Sequence, residues 1–337
     1  MSNARKLADN LPTEGQLGNR NLLINGAMQV AQRASSATAA VAGGSYITLD
    51  RYKIFEDTDG AYTSEQSTTA PDGFSNSMKL QVTTADTSLS SAQYATFGQF
   101  IEAQNLQQLA YGTNAAKDFT LSFYVRSNKT GTYCIAVDKL QNTRYIYITE
   151  FTINAADTWE RKTITISPDS NIKASGGDIG DGNVHGFRVF IWLASGTTYH
   201  GTNNSWNAGS TYYATSNQVN WMDSTSNNFY ITGMQLEVGS QASPFEHEQY
   251  SVTLAKCMRY FEATIPTWGT PRTNDNVIHS SGYFKVQKRV SPTMTLVDDT
   301  YSNSPAIQQV NTNYYVTYDA AGASSSLNAT YNADAEL

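Results

Sequence analysis

The residues best suited to chemistry in this 337-residue sequence are aromatic side chains in a long polar loop, Ala194 to Asn220, and at its end. Five aromatics stand there among Asn, Ser and Thr: Tyr199, Trp206, Tyr212, Tyr213 and Trp221. Sugar rings present apolar C–H faces that pack on electron-rich aromatic faces, and neighbouring polar groups fix the hydroxyls. We predict these five side chains as hypothetical glycan contacts. The same rings also suit pinning the loop to the protein body or filling a subunit interface, so both interpretations stay open.

A second loop, SGGDIGDGNVHG at 175–186, places oxygen ligands between glycines. Asp178, Asp181 and Asn183 are weak candidates for a structural calcium site. The EF-hand pattern fails, because with Asp181 in first position Trp192 falls where a bidentate Glu is required. A calcium site of another kind stays open, although a plain Gly-rich loop is favoured. The four histidines lack partners at ligand spacing, so we expect no zinc and no other cofactor.

Catalytic motifs are absent from the sequence, including the serine-hydrolase elbow, H-E-x-x-H and the Walker loop. Glycoside hydrolysis needs two carboxyl groups roughly 5–10 Å apart, and spacing in sequence does not reveal this. Candidates for such a pair are Glu150, Asp157, Glu160 and Asp223. His247 lies between Glu246 and Glu248, which would favour its charged form, but an exposed polar turn is the favoured interpretation. We therefore predict no catalytic residue and no enzyme activity.

Composition excludes several classes of protein. The net charge is -7, only 15% of residues are charged, and Lys and Arg are scattered singly, so nucleic-acid binding is disfavoured. The first residues contain no apolar signal-peptide core, and no run of about 18 apolar residues occurs. We expect neither signal-directed secretion nor membrane insertion. Cys134 and Cys257 are predicted to be free, buried thiols.

Three regions follow from the patterns along the chain. Residues 1–45 form an arm whose apolar cluster is too small to be buried alone, so it should pack on a partner or on its own subunit. The residues predicted to serve virion docking or oligomerisation are Leu17, Leu22, Leu23, Ile24 and Met28.

Residues 46–262 read as strands throughout. Phe119 to Val125 alternate apolar and polar side chains, the turn SNKTG follows, and Tyr133 to Val137 resume the alternation, which predicts a hairpin. Further strands are predicted at 146–153, 161–167, 187–193 and 229–238, with a bulge at Gly233. Antiparallel strands without intervening helices favour an all-β jelly-roll sandwich. A short helix should close it, since Leu254, Cys257, Met258 and Phe261 have helical spacing.

Residues 263–337 are predicted to form a small C-terminal β domain. Candidate strands lie at 282–286, 293–297, 307–310, 314–318 and 329–337. At about 70 residues its burial is marginal if it stands alone, and association with copies of itself would relieve that.

Four segments resemble tail-fibre-type virion proteins of bacteriophages, of the kind found in marine phages and cyanophages. They are NLLINGAMQVAQR at 21–33, DRY at 50–52, FTLSFYVRSNKTGTYCIAV at 119–137 and MQLEVGSQASPFEHEQYSVTLAKCMRYFE at 234–262. The terminal ADAEL at 333–337 is similar too. The resemblance implies a jelly roll like that of carbohydrate-binding modules, usually trimeric, with an N-terminus docked on other virion or tail proteins. It transfers no catalytic residue.

The resemblance implies a structural virion protein, made in the host cytoplasm and carried on the phage tail or surface. A short tail fibre or fibre tip that attaches to host surface polysaccharide is the favoured function. The alternative is a purely architectural component, such as an adaptor, collar or head fibre. A polysaccharide depolymerase is less favoured, because it needs a carboxylate pair in a groove.

Overall fold

The computed structural model describes residues 18–38, 44–269, 278–299, 305–319 and 327–337. The chain divides into two compact units between Glu248 and Gln249. The predicted fold class is confirmed: a jelly-roll β-sandwich carries an N-terminal arm and is followed by a small β unit. Of the helices described, none is long and apolar enough to cross a membrane.

Six strands of the first unit match the predicted segments, and most of these gain a residue or two at their ends; the other six were not predicted individually. Within the described residues the strands are β1 (Ser36–Thr38), β2 (Lys53–Asp57), β3 (Ala61–Ser67), β4 (Ser77–Thr84), β5 (Tyr94–Glu102), β6 (Phe119–Ser127), β7 (Gly131–Lys139), β8 (Tyr145–Ile153), β9 (Glu160–Ile166), β10 (His185–Ser195), β11 (Ser205–Ala208) and β12 (Asn228–Val238). One α-helical turn, α1 (Ser170–Lys173), and 3-10 turns at Ala103–Leu109, Ser175–Gly177, Thr197–Tyr199 and Trp221–Asp223 complete it.

These strands form two six-stranded sheets in the described part of the chain. The first has the order β1-β3-β4-β12-β6-β9 and the second β11-β8-β7-β10-β5-β2. Successive side chains of a strand point to opposite faces, so apolar residues at every second position meet between the sheets. Phe97 of the second sheet lies 5.9 Å from Phe229 of the first, centroid to centroid. Burying each such side chain contributes about 1.5–3 kcal/mol.

The predicted hairpin at 119–137 is wrong. β6 pairs with β12 and β9 in the first sheet, whereas β7 pairs with β10 and β8 in the second. The SNKTG segment therefore crosses from one sheet to the other. An alternating strand, a polar turn and a second alternating strand look the same in a hairpin and in a crossover, because both connections bury one face of each strand.

The N-terminal arm packs on its own sandwich along β12. The Leu22 amide donates to the Leu236 carbonyl at 2.8 Å, and the Met234 amide donates to Gly26 at 3.0 Å. The Asn21 side chain donates to the Met234 carbonyl at 2.9 Å and accepts from the Leu236 amide at 3.1 Å. The arm thus uses backbone groups of β12 that sheet pairing leaves open.

Those groups are open because β4 pairs with β12 only from Asn228 to Ile231, and a bulge follows directly. The pairing of β12 with β6 shifts register between Thr232 and Gln235, and Gly233 has a positive φ of 62°. The predicted bulge is therefore confirmed, and glycine suits it because a side chain is strained in this backbone conformation.

Glu246 holds the start of the arm. Its carboxylate accepts hydrogen bonds from the backbone amides of Asn19, Arg20 and Asn21 at 2.7, 2.7 and 3.0 Å. We call this contact the Glu246 clasp. Three successive amides around one carboxylate explain why the polar Glu246-His247-Glu248 run follows the sandwich, since Glu246 fixes the arm through charge-assisted hydrogen bonds.

The predicted docking residues lie mostly inside this arm–sandwich contact. Leu23 and Met28 are buried in the main core, and Leu22 packs against it half-buried. Ile24 is half-buried, and its backbone exchanges hydrogen bonds of 2.7 and 2.8 Å with the Gln99 side chain. Buried side chains such as Leu23 and Met28 offer no surface to a partner. Leu17 lies outside the described residues.

The second unit contains a helix and six strands within its described residues. They are α2 (Tyr250–Met258), β13 (Phe261–Gly269), β14 (Ile278–Tyr283), β15 (Thr293–Asp299), β16 (Ala306–Val310), β17 (Tyr314–Asp319) and β18 (Leu327–Asp334). They form two three-stranded sheets, β13-β18-β15 and β14-β17-β16. A small core surrounds Ile265, Phe284 and Tyr315. The helix predicted as the end of the sandwich is present and belongs to this unit.

Candidate functional site

The outer face of the second sheet carries large side chains where a sandwich ordinarily presents polar ones. In β10, the residues Phe187, Val189 and Ile191 are buried in the core between the sheets. The alternate residues Arg188, Phe190 and Trp192 line a cavity on the opposite face. β10 therefore has bulky side chains on both faces, which requires a second layer of residues outside the sandwich.

The paired strands of the second sheet form the floor of this cavity. Small and large residues lie opposite one another on these strands. Trp192 lies opposite Cys134 of β7 and Thr96 of β5, and Thr96 lies opposite Phe55 of β2. In the adjoining row, Phe190 lies opposite Gly98, where an added Cβ would come within 2.4 Å of the Phe190 ring. Glycine there lets the Phe190 ring lie close over β5.

The wall of the cavity comes from the loop between β10 and β12. The Tyr199 carbonyl accepts hydrogen bonds from the amides of Tyr213 and Ala214 at 2.8 and 3.0 Å. The Gly196 amide donates to the Gln93 carbonyl at 2.7 Å, and the Cys134 amide donates to the Gln218 side chain at 2.7 Å. These hydrogen bonds fix the loop that carries Tyr199 and Tyr213.

Together these elements form what we call the aromatic cleft, a cavity of about 240 Å³. Its lining residues are Phe55, Tyr94, Thr96, Arg188, Phe190, Trp192, Tyr199, Ser210 and Tyr213. Trp192 stacks on Tyr213 with centroids 5.2 Å apart and planes 18° from parallel. Tyr199 lies 5.3 Å from Trp192 and 5.1 Å from Tyr94. The three tyrosine rings surround the opening, and the buried Trp192 packs against all three.

A buried ion cluster supports one end of the cleft. Asp138 of β7 is fully buried and receives two hydrogen bonds from Arg144, from Nε at 2.9 Å and from Nη2 at 2.5 Å. Arg188 Nη2 also donates to Asp138. The Tyr213 hydroxyl accepts from Arg144 and lies 3.3 Å from Arg188 Nη2. Two guanidinium groups thus share one carboxylate and orient the Tyr213 ring.

The three phenols of the cleft are held in their neutral form. Burial raises the pKa of Tyr94 above its ordinary value of 10.0, and nearby Tyr199 and Asp57 raise it further. The pKa of Tyr199 rises for the same reasons, burial and then Asp57. Burial and then Asp138 raise the pKa of Tyr213, although the two neighbouring guanidinium groups act in the opposite direction. Each hydroxyl can therefore donate and accept hydrogen bonds at neutral pH.

The structure brings only part of the predicted aromatic set into the cleft. Tyr199 and Tyr213 line it. Tyr212 is 40% exposed but is not among the lining residues.

The two tryptophans of the predicted set lie in the interior. Trp206 is 5% exposed and donates from its ring nitrogen to the Ser167 carbonyl at 3.0 Å. Trp221 is fully buried and packs on Tyr62 at 5.6 Å. Neither indole has a face open to a sugar, so these two side chains fit the alternative in which aromatics pin the loop to the sandwich.

The Gly-rich loop surrounds a lysine of its own chain. The Lys139 ammonium is buried and donates to the carbonyls of Gln141, Gly176 and Asp178 at 2.5, 2.8 and 2.7 Å. The Asp178 carboxylate accepts from the Gly180 amide at 2.7 Å. Asp181 is exposed and Asn183 half-buried, and no group of three or more His, Cys, Asp and Glu within the described ranges could hold a metal ion.

The nominated carboxylates serve local contacts. Glu150 accepts from the side chains of Thr215 and Asn217, and Asp223 pairs with Lys129 at 2.6 Å. Glu160 accepts from the amides of Asn154 and Ala155 in its own turn. Asp157 pairs with Arg126 at 3.1 Å. None of the four lines the aromatic cleft.

A larger cavity of about 590 Å³ lies elsewhere on the sandwich, lined by 114–118, Gly239 and Ser240. Its described lining residues include no aromatic side chain and one ionic residue of each sign, Lys117 and Asp118. Ligand sites combine apolar or aromatic walls with a few placed polar groups, and the aromatic cleft alone of these two cavities has that character.

The sequence of β10 contains a signal for the cleft. Phe187 to Leu193 reads FRVFIWL. The residues that alternate with the core-facing ones are Arg188, Phe190 and Trp192. A strand with one solvated face would alternate with small polar residues. The absence of that alternation marks β10 as covered on both faces.

No protein-family model and no curated protein matches the sequence. Among solved structures, a candidate sugar-binding protein from Bacteroides thetaiotaomicron is 14% identical, with a TM-score of 0.36 over 65% of this chain and 100% of that one. The enzymatically active domain of bacteriophage CBA120 tailspike protein 4 is 12% identical, with a TM-score of 0.31 over 65% of this chain and 21% of that one.

The module TmCBM61, solved with β-1,4-galactotriose, is 10% identical, with a TM-score of 0.29 over 65% of this chain and 99% of that one. At such identities and scores, these likenesses do not indicate what this chain binds.

Proposed function

We propose that this chain is a glycan-binding protein and that the aromatic cleft is its binding site. The observation that carries the proposal is the set of Tyr94, Tyr199 and Tyr213 rings, packed on the buried Trp192, around an open cavity on the outer face of the second sheet. A concave site lined by aromatic rings with a few placed polar groups is where small ligands ordinarily bind.

The chemistry of the lining favours a sugar over a purely apolar ligand. Three neutral phenols, the Ser210 hydroxyl and the Arg188 guanidinium stand among the rings, and they supply both donors and acceptors. The volume of about 240 Å³ is below the ~300–1,000 Å³ of pockets that enclose drug-sized ligands. We therefore expect one sugar residue, or the end of a chain, to enter the cleft.

We infer that the cleft binds without cleaving. Glycoside hydrolysis uses two carboxyl groups at the scissile bond, and the described lining residues include neither Asp nor Glu. Asp138, the acid nearest the cleft in the Tyr213 network, is buried behind Arg188 and Arg144. A non-catalytic role is the proposal that fits this lining.

We further propose that the protein acts in a bacteriophage virion, as a short tail fibre or fibre tip that attaches to host surface polysaccharide. The support is the resemblance of the segments at 21–33, 50–52, 119–137 and 234–262 to tail-fibre-type proteins. Two of these segments meet where the arm bonds to β12 and the Glu246 clasp closes. These two segments therefore belong to the scaffold of the protein, and we propose that the cleft determines which ligand binds.

The architectural alternative has one observation in its favour. Large apolar side chains of the second unit are exposed: Trp268 is 69%, Tyr283 83% and Val297 52% accessible. Such residues suit contacts between copies of the chain or with other virion proteins. A protein that assembles through this unit and binds no glycan would fit that alternative.

Screening the full-length protein on an array of bacterial surface glycans tests the proposal, followed by titration calorimetry on the glycans retained. The test variant is Tyr199→Ala, which removes a ring of the cleft. Tyr212→Ala is the matched control, because Tyr212 lies in the same loop outside the lining. We expect Tyr199→Ala to weaken binding at least about tenfold, as a lost stacking contact of about 1.5 kcal/mol would.

Two results would contradict the proposal. Equal losses in Tyr199→Ala and Tyr212→Ala would place the ligand outside the cleft. The absence of any retained glycan, with a folded protein by circular dichroism, would favour the architectural alternative.

A further inference from the structure

We propose that the aromatic cleft selects sugars that carry a negatively charged substituent, which Arg188 receives. This inference rests on the proposed glycan-binding function and specifies its ligand. Its basis is an arginine in the cleft lining that has hydrogen-bonding capacity left over.

Arg188 uses one of its three side-chain nitrogens. Nη2 donates to Asp138 and faces the Tyr213 hydroxyl at 3.3 Å. Nε is buried and has no hydrogen-bond partner, and Nη1 makes none of the hydrogen bonds of this side chain. Buried donors in native proteins nearly always have an acceptor. A ligand oxygen in the cleft is the acceptor that this geometry lacks.

A second donor on the same face of β10 also lacks a hydrogen-bond acceptor. The ring nitrogen of Trp192, whose side chain is 3% exposed, has no hydrogen-bond partner. Trp192 and Arg188 are four residues apart on one strand, so both side chains point to the outer face, and both line the cleft. Two unpaired donors from one strand indicate a ligand rich in acceptors at this wall.

The surrounding charge favours an acidic acceptor over a neutral one. Arg144 and Arg188 both pair with Asp138, so this end of the cleft keeps one positive charge in excess. Acceptors that carry a charge bind guanidinium more strongly than neutral hydroxyls do. The described lining residues include no acid that would neutralise this excess.

The opposite end of the cleft would reject an anion. Asp57 lies opposite Tyr94 in the pairing of β2 with β5, whereas Phe100, at the far end of β5, lies opposite Arg188. Asp57 therefore lies beside Tyr94, six residues along β5 from the position that faces Arg188. A sugar with one acidic group is therefore oriented, with that group at Arg188 and its apolar face on the tyrosines.

Three probes of related structure test this inference on the full-length protein: an oligogalacturonate, the same oligomer after carboxyl reduction to galactose, and a sulfated galactan. Calorimetry should give the oligogalacturonate a dissociation constant at least about tenfold below that of its reduced form, as a charge-assisted hydrogen bond provides. Higher salt should narrow that difference, because added ions screen the pair. Tight binding of the sulfated galactan alone would keep the inference and identify a sulfate as the acidic group.

Arg188→Gln should bring the acidic and reduced forms to nearly equal affinity. Arg126→Gln is a matched control: Arg126 pairs with Asp157 and lies 5.2 Å from the Tyr230 ring, in the other sheet. If Arg188→Gln does not fold, the inference is tested on the unmodified protein. The measurement is then the salt dependence of the affinity difference between the acidic and the reduced oligomer.

The outcomes separate this inference from the function on which it rests. The selection for acidic sugars is overturned if the neutral oligomer binds as tightly as the acidic one or more tightly. It is also overturned if the array retains only neutral glycans. Either result leaves the glycan-binding function intact. No retained glycan of any kind overturns both.

Discussion

At the scale of residues, the cleft depends on phenol groups that stay protonated at neutral pH. Burial raises the pKa of Tyr94, Tyr199 and Tyr213 above 10.0. A pKa above 10.0 leaves each hydroxyl almost fully protonated up to about pH 9. The cleft therefore presents the same donors and acceptors throughout the neutral range.

This makes ligand affinity independent of pH where the phenols are neutral. We expect the dissociation constant to vary by less than about twofold between about pH 6 and pH 9, and binding to weaken only above about pH 10. Titration calorimetry in matched ionic strength measures this. A loss of affinity of more than about twofold between pH 7 and pH 9 would contradict this expectation.

Residue types in the loop predicted an aromatic binding surface, but not which rings form it. Tyr199 and Tyr213 reach the cleft, while Trp206 and Trp221 fill the interior. The difference depends on pairing that a loop sequence does not reveal, such as the short β11 strand that carries Trp206 alongside β8. Trp192 and Arg188 were not predicted because they alternate with the core-facing residues of β10, and a strand pattern by itself identifies only the core-facing set.

At the scale of elements, the Glu246 clasp fixes the N-terminal arm to the sandwich. Glu246→Ala removes a carboxylate that accepts three backbone amides. Hydrogen bonds to charged groups contribute about 1.5–3 kcal/mol each in favourable cases, and half-exposure reduces this. We expect the free energy of unfolding in urea to fall by about 1–3 kcal/mol.

Asp72→Ala is the control for that measurement, because Asp72 is an exposed carboxylate. It should change stability by less than about 0.5 kcal/mol. Equal stability of the two variants would mean that the clasp does not hold the arm in solution.

The Gly-rich loop gives a second prediction at this scale. Lys139→Met keeps the length of the buried side chain but leaves three carbonyls without their donor. We expect a loss of about 1–3 kcal/mol in the free energy of unfolding, as for buried groups left unsatisfied. The melting temperature of the unmodified protein should not respond to EDTA, since the loop already holds an ammonium ion. A lower melting temperature in EDTA would instead show that the loop binds calcium.

Among the features of the fold, the positions of strands were predicted best from the sequence. Alternation over β6, β8 and β12 gave strands within a residue or two of those observed, since every second side chain enters one core. The crossover between β6 and β7 was not predictable in the same way, because partner choice depends on contacts distant in sequence. The role of Glu246 was missed for the same reason, since it contacts residues more than 220 positions away.

At the scale of the whole molecule, we propose that the protein assembles as a homotrimer through its second unit. Trp268, Tyr283 and Val297 are exposed there, and a unit of this size buries too little apolar surface to be robust alone. Light scattering of the full-length protein should give three times the 36.9 kDa chain mass. A monomeric mass at micromolar concentration would contradict the proposal.

The central claim is that the outer face of the second sheet binds a glycan, and a crystal structure of the protein with the tightest glycan from the array tests it most directly. We predict a sugar ring against Tyr94, Tyr199 and Tyr213, with an oxygen of its acidic group near Arg188. A sugar bound instead in the larger cavity lined by Lys117, Asp118 and Ser240, or on the second unit, would contradict the claim.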